Sequence, residues 1–263
     1  MKAEQTVSLS GCRVLVTRPA AQARQLCELI EQAGGTAIPY PVINIVPVTH
    51  IDNVENFINF DMAIFISANA VQATMALLSG RADLPREIIA IGQSTANMLE
   101  TYHCDIDVLP EHAWNSESLL STVEMNAVEG KSIIIFRGVG GREYLADTLR
   151  SRGAKVEYCE VYRRELPDAD RAMLLSYLQQ HKIDIVTLTS NEGLHNLCTL
   201  AGNAGGVYLK KIPMVVLSER IQQEARKMQI TSTINIAENA SDAAMLAAIY
   251  CLIKQMCTGA HDE

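Results

Sequence analysis

The stretch Ser132 to Arg164, SIIIFRGVGGREYLADTLRSRGAKVEYCEVYRR, constrains the fold more tightly than any other part of the chain. Its apolar block Ile133 to Phe136 is short and unbroken, the pattern of a strand buried on both faces of a parallel sheet. A glycine-rich turn ends it. Tyr144, Leu145, Thr148 and Leu149 then fall at helical spacing, Gly153 stands where a helix can stop with a positive φ, and Val156 to Tyr162 reads as a second strand. The same strand, turn, helix, strand unit occurs earlier. Val14-Leu15-Val16-Thr17-Arg18 lies 119 residues before Ile133-Ile134-Ile135-Phe136-Arg137, and at that offset Leu26 precedes Leu145 and Gly34 precedes Gly153. Both copies set an arginine just past a strand.

Strand and helix patterns alternate along the rest of the chain, which predicts α/β architecture with parallel sheets flanked by helices. Ala37 to Val48 is extended but carries Pro39, Pro41 and Pro47. Proline cannot donate to a ladder, so this run is expected at a sheet edge or as a connection between lobes. Asp61 to Asn69, Ile88 to Gly92 and Ile106 to Pro110 follow as strands with their exits. Asp184 to Ser190 lies 123 residues after Asp61 to Ser67, and Pro213 to Ser218 and Thr233 to Ala237 come in the same order. The chain thus reads as a tandem duplication, one half from about Arg13 and the other from about Lys131, giving two similar domains rather than a solenoid. Asp61 and Asp184, each just before a strand, are expected to form turns.

A chain of 263 residues, 48% apolar and 20% charged, supplies core enough for two domains. The opening MKAEQTVSLSGC has one Lys and no apolar stretch behind it, so neither a secretory signal nor an arginine-rich transit peptide is expected, and the protein is placed in the cytoplasm. The longest apolar run, Ala243 to Ile253, falls short of the roughly 20 residues that a bilayer requires, so no membrane span is expected. It reads as a buried helix capped by Ser241 with Asp242 in its first turn. Seven cysteines, Cys12, Cys27, Cys104, Cys159, Cys198, Cys251 and Cys257, contain no CxxC pair, which points to small apolar residues in a reducing compartment rather than a zinc site or a disulfide framework. His50, His103, His112, His181, His195 and His261 are scattered, and no metal site is expected. Net charge of −8 argues against a nucleic-acid partner, yet leaves room for an anionic small ligand, because a cleft is governed by its local charges.

In parallel α/β sheets ligands gather at the carboxyl ends of strands, where the next helices present unpaired N–H groups. The residues just past the strands are Thr17 and Arg18; Ser67 and Asn69; Gly92, Ser94 and Thr95; Arg137 and Gly138; Ser190 and Asn191; and Ser218 with Arg220. Arginines among hydroxyls and backbone donors suit carboxylates or phosphates. Ser, Thr and Asn at helix starts are also ordinary caps, and for any single one capping alone is the commoner role. Arginine is harder to explain in that way, because a cation at a helix N-terminus opposes the dipole. GVGGRE after a strand, with Glu157 about 20 residues on, imitates a dinucleotide fingerprint. Glu143, however, fills the third glycine position, where its charge would face a pyrophosphate and its bulk would block helix packing. No GxxxxGK[ST], GxSxG or HExxH occurs either.

The ordered set VLVTRPAAQARQLCELIEQAGG, IFISANAV, AIGQSTA, IIIFRGVGGREYLADTLRSRGAKVEYCEVYRR, TLTSNEGL and VVLSERI, running from Arg13 nearly to Ile253, resembles the uroporphyrinogen-III synthases of proteobacteria. The resemblance implies a cofactor-independent enzyme that closes linear hydroxymethylbilane to uroporphyrinogen III with inversion of ring D. It implies two α/β lobes joined by a two-stranded β ladder, with substrate in the cleft between. On this reading 1–41 with 163–263 form one lobe, 46–157 the other, and 42–48 and 158–164 the ladder. The substrate's carboxylates would pair with Arg18, Arg137, Arg142 and Arg220, aided by N–H groups after Ser67, Gly92, Ser190 and Ser218.

The family's candidate proton donor falls on Tyr162 in VYRR, although phenols are weak acids at neutral pH and an aromatic packing on the ladder is an equal reading of that residue. Thr95 in GQSTA matches a position expected to touch substrate. Ser218-Glu219-Arg220 departs from the Gly and Thr of many relatives, and Glu219 would repel a carboxylate. The labile bilane is expected from hydroxymethylbilane synthase, by transient hand-over, and the chain is expected to be a monomer. Two other classes compete: a nucleotide-dependent α/β enzyme using the GVGGR turn, and a two-lobed small-anion binding or sensor protein, which duplicated halves fit equally well.

Overall fold

The unbroken apolar runs become strands covered on both faces. The computed structural model describes residues 8–49, Ile51, 54–78, 84–111 and 114–259, with backbone alone for 54, 55 and 257–259. His50, His112, His261 and the Cys257 side chain lie outside the described residues. The chain opens with β1 (Arg13–Val16), α1 (Ala20–Gln32) and β2 (Thr36–Pro39), and Gly34, at φ 86°, turns it out of the helix. Next come β3 (Asn44–Pro47), a 3-10 segment (Val54–Asn59), β4 (Met62–Phe65), α2 (Ala68–Leu77), β5 (Glu87–Ala90), α3 (Gln93–Thr101), and the short α4 (Ser116–Leu120) and α5 (Val123–Asn126). The opening unit then recurs as β6 (Ser132–Gly138), α6 (Tyr144–Ser151) and β7 (Lys155–Glu165), with Gly153 at φ 89° in the role of Gly34. The chain ends with α7 (Arg171–Gln179), β8 (Ile185–Leu188), α8 (Asn191–Leu209), β9 (Met214–Val216), α9 (Glu219–Lys227), β10 (Ile234–Ile236) and α10 (Asp242–Gly259).

Two five-stranded sheets form, one in each of two compact units. The chain up to Asn44, joined by Glu165 onward, holds the order β10-β9-β8-β1-β2. Ile45–Arg164 holds most of the order β3-β7-β6-β4-β5. The duplication is visible in the register. In the first sheet Val14 lies parallel to Ile185, and in the second Ile133, the repeat partner of Val14, lies parallel to Met62, the repeat partner of Ile185. The run Ile106 to Pro110, expected as a strand, contributes only a single bridge from Val108 to Ile89. Its equivalent in the other half is β10, itself three residues long.

Strict alternation decides which side chains meet which layer. In the second unit Ala63, Phe65, Ile134 and Phe136 join a cluster with α2 and α3, while Met62, Ile64, Ile133 and Ile135 join another with α4, α5 and α6. Phe65 and Phe136 stack at 4.7 Å between ring centres, and Phe57 meets Phe136 edge-on at 5.1 Å. Burial of each such ring contributes about 1.5–3 kcal/mol. In the first unit Val14, Val16, Ile185 and Val215 face α1 and α10. Ser241 caps α10, its hydroxyl accepting from the Ala244 N–H at 3.2 Å. No helix among the described residues is long and apolar enough to cross a membrane.

Asp61 and Asp184, expected to form turns, instead clamp the start of the neighbouring strand. The Asp61 carboxylate accepts the Ser132 N–H and hydroxyl, both at 2.7 Å. The Asp184 carboxylate accepts the Arg13 N–H and Nε–H, each at 2.8 Å, and Arg13 Nη2 binds its second oxygen at 2.8 Å. Ser132 and Arg13 are repeat equivalents, so one device pins the register of both central strand pairs. At the other end of β1, the Arg18 guanidinium is turned onto Asp242 in the first turn of α10 and donates to the Ala240 carbonyl at 3.3 Å.

Burial pushes the Asp184 carboxyl up, but its hydrogen bonds to the Arg13 side chain and backbone and the Arg13 charge outweigh this and hold it below the usual range. A carboxyl lowered on folding stabilises fully above its unfolded pKa and loses that contribution as pH falls through the folded value. Asp184→Asn should therefore destabilise the protein at pH 7 by about 1–2 kcal/mol, the charge-assisted range reduced for partial exposure, and flatten the acid limb of stability against pH, read by urea unfolding. Arg18→Ala strands Asp242, whose side chain is only 14% exposed, without its counter-ion. A loss of about 3–5 kcal/mol in the same assay is expected, partly restored by adding Asp242→Asn.

Candidate active site

Four of the helices that follow strands start in one way. Ser67, Gly92, Ser190 and Ser218 stand at the N-caps of α2, α3, α8 and α9, all in extended backbone. The three serine hydroxyls accept the N–H groups of Ala70 at 3.1 Å, Gly193 at 3.0 Å and Ile221 at 3.4 Å. The capping reading thus accounts for their side chains, and the first-turn N–H groups are what these helices can offer an anion. Gly92 lacks a side chain for a different reason: a Cβ there would lie 2.5 Å from Cβ of Trp114.

In the second unit the geometry gathers on Tyr162. Its ring is 2% exposed and belongs to the cluster of Phe65 and Phe136. The hydroxyl lies 3.2 Å from Ser67 Oγ, and Arg164 Nη2 donates to it at 3.4 Å. Gly138, the last residue of β6, is its register partner across a bulge that follows Arg137. Ser67 and Arg164 thereby meet at the Tyr162 oxygen, and Gly138 lies against the ring, where an added Cβ would stand 3.1 Å from that oxygen. Arg164, quoted in the sequence only as part of VYRR, is the contributor that residue-by-residue reading missed.

Arg137 is buried beside this group and neutralised by its own unit. It reaches Glu143 at 3.0 Å and Glu160 at 3.2 Å, and its guanidinium lies 3.9 Å over the Tyr158 ring. Tyr158 faces the Glu143 carboxylate without closing a good hydrogen bond; burial first, then Glu143, pushes its phenol up to about 12. Glu143 is held below the usual carboxylate range by the Tyr158 hydroxyl it faces and by Arg137. Arg142 is exposed, with Glu117 at 3.8 Å. Asn69 and Ser94 lie in the first turns of α2 and α3, and Thr95 is fully buried behind Gly92.

In the first unit, Thr17 donates to the Thr187 carbonyl at 2.6 Å, and Arg18 occupies the place that Arg137 has in the second. Asn191 Oδ1 and Arg18 Nε are buried at this edge without a partner. Glu219 and Arg220 begin α9, both exposed. The recurring arginines, whose placement near helix starts ran against the dipole, are explained by acids: Asp242 answers Arg18, and Glu143 with Glu160 answers Arg137. Among the described residues no group of three or more His, Cys, Asp or Glu side chains is placed to hold a metal ion.

The family model described as "Uroporphyrinogen-III synthase HemD" matches residues 24–247. The chain is 31% identical over 244 residues to the uroporphyrinogen-III synthase of Escherichia coli (strain K12), covering 90% of this chain and 99% of that one. It is 35% identical over 158 residues to the uroporphyrinogen-III synthase of Proteus mirabilis, covering 57% of this chain and 79% of that one. Among solved structures, the uroporphyrinogen-III synthetase of Helicobacter pylori 26695 superposes with TM-score 0.61 at 15% identity, over 92% of this chain and 99% of that one. A mutant uroporphyrinogen III synthase of the extremely thermophilic bacterium Thermus thermophilus superposes with TM-score 0.58 at 16% identity, over 93% and 100%. At those identities the structures speak for the fold, and the matched sequence speaks for descent. The chain belongs to the uroporphyrinogen-III synthase family.

Proposed function

We propose that this protein converts hydroxymethylbilane to uroporphyrinogen III, and that Tyr162 is the proton donor of the first step. Family membership supports the reaction, and the convergence of Ser67, Gly138 and Arg164 on the Tyr162 hydroxyl supports the role of that residue. The hydroxyl of the substrate's hydroxymethyl group leaves as water, taking the phenol proton, while the adjoining pyrrole nitrogen supplies the electrons that leave an electrophilic azafulvene. The substituted carbon of ring D attacks the methylene carbon, giving a spirocyclic intermediate. Cleavage of its other bond and reclosure at the free carbon of the inverted ring complete the macrocycle. The proton lost there on rearomatisation restores the phenol.

In water the azafulvene would close without inversion, so the protein's task is control of geometry rather than brute acceleration. We assign substrate binding to Thr17, Arg18, Ser67, Asn69, Gly92, Ser94, Thr95, Arg137, Gly138, Arg142, Ser190, Asn191, Ser218 and Arg220, with Ser67 and Gly138 contributing only backbone groups that a side-chain substitution leaves in place. Arg142 and Arg220, both exposed, can reach a substrate carboxylate without abandoning a buried acid. Arg18 and Arg137 would share theirs with Asp242, Glu143 and Glu160. The lobes of this reading are 1–41 with 163–263 and 46–157, with the chain crossing at 42–48 and 158–164. The enzyme works in the cytoplasm as a monomer and takes its labile substrate by transient hand-over from hydroxymethylbilane synthase.

Incubation with enzymatically made hydroxymethylbilane, followed by oxidation and separation of the isomers, should yield mostly type III. Predominantly type I product would defeat the assignment. Tyr162→Phe should slow closure by about 10²–10⁴-fold at most, the usual range for one acid or base, and a variant with full rate would return Tyr162 to packing.

A further inference from the structure

We infer that Gly138 and Ser67 form a two-sided seat that fixes the position of the Tyr162 hydroxyl, and that both are positioning residues for the reaction. The inference rests on the proposed role of Tyr162 as proton donor. Three glycines follow Arg137 within four residues, and they are glycine for different reasons. Gly140 and Gly141 have φ of 75° and 115°, which other residues rarely adopt, and open space where a Cβ would stand. Gly138 is not in that region. What it lacks room for is a side chain: a Cβ would lie 2.7 Å from Cζ, 2.8 Å from Cε2 and 3.1 Å from the hydroxyl oxygen of Tyr162.

Contact closer than about 3 Å cannot persist, and the ring has little freedom to retreat, because it is packed in the cluster of Phe65, Phe136 and Val161. Alanine at 138 would therefore displace the outer end of the ring, the part that carries the reacting proton. The bulge after Arg137 serves the same end. It skips Val161, so that Gly138, rather than Val139, pairs with Tyr162, and Val139 N–H then bonds the Tyr162 carbonyl at 2.8 Å. From the opposite side Ser67 Oγ approaches the hydroxyl to 3.2 Å. That oxygen is itself held by the Ala70 N–H at the start of α2, so its place is set by the helix rather than by a free rotamer. The phenol oxygen is thus located by two rigid backbone features, a strand bulge and a helix cap.

The test is a double-mutant cycle with isomer-resolved rates. Gly138→Ala should lower kcat about 10²-fold, the penalty of an ångström-scale misplacement, with KM changed less than about twofold. In a Tyr162→Phe background the same substitution should cost almost nothing further, because the hydroxyl it misplaces is gone. Full kcat in Gly138→Ala, or an equal loss in both backgrounds, would overturn the inference while leaving the synthase assignment standing. Full activity in Tyr162→Phe alone would remove the donor role and the seat with it, and predominantly type I product from the unaltered protein would remove the assignment itself. Should Gly138→Ala not fold, Ser67→Ala takes its place, since it removes the facing hydroxyl without adding bulk. A kcat loss there that vanishes in the Tyr162→Phe background supports the seat, and unchanged kcat overturns it.

Discussion

Each unit depends on a central strand wedged between parallel partners with both faces covered. β1 lies between β8 and β2, and β6 between β4 and β7. A strand in that position can offer water no face, which is why VLV and IIIF are unbroken apolar runs. Parallel pairing also sends the strand exits to one edge of each sheet. There the helices must begin, and there their unpaired N–H groups accumulate. The same pairing needs a stop, since with both faces apolar a two-residue slip would keep every side chain in its own layer. The carboxylates of Asp61 and Asp184 supply that stop by binding the first N–H of the adjacent strand.

Placing arginines at this edge creates a problem that the fold solves locally. A guanidinium as little exposed as Arg18 or Arg137 loses much of its hydration and has to be compensated by hydrogen-bonded acids. Both units recruit an acid at the start of a nearby helix, Asp242 for Arg18 and Glu143 for Arg137, so the acid also satisfies that helix's dipole. The arginines therefore hold helices to strand ends. Their electric field at the edge is reduced by that partnership, and what stays directed outward is the set of capped helix starts.

Much of this was legible in the residues because the signals were local and repeated. Strand and helix order, the helix stop at Gly153, the cap at Ser241 and the equivalence of the two halves all follow from periodicity and turn chemistry. The pairs that span long sequence distances were not legible. Nothing near Arg18 in the chain announces Asp242, and Asp184 looks like any residue that begins a turn until Arg13 is laid beside it. The run Ile106 to Pro110 misled for a related reason: apolar composition suits a strand, but whether it pairs depends on how far the sheet extends, and Val108 manages one bridge. Gly138 misled in the opposite sense, since GVGG reads as a turn throughout, while its first glycine belongs to β6 and pairs with Tyr162.

The two halves share a scaffold, yet only one carries the phenol, and the prolines explain why. β2 ends at Pro39, and beyond it Tyr40 and Val42 send their N–H groups to the carbonyls of Val16 and Thr17, while Pro39 and Pro41 alternate with them. Alternate N–H groups of a strand point to opposite sides, so both prolines fall on the outward side, where no partner waits at an edge. That edge is closed to further pairing. β7, the repeat of β2, has no proline within its eleven residues and is flanked on both sides, by β6 and by β3, with Val48 N–H bonding the Val161 carbonyl. It therefore runs on past the point where β2 stops, and this extension carries Tyr162 to the carboxyl edge opposite Gly138. At the corresponding place in the first half stands Ile43, buried beyond the end of β2. A difference in edge protection between the duplicated strands thus accompanies the placement of this phenol beside the helix starts of one half alone.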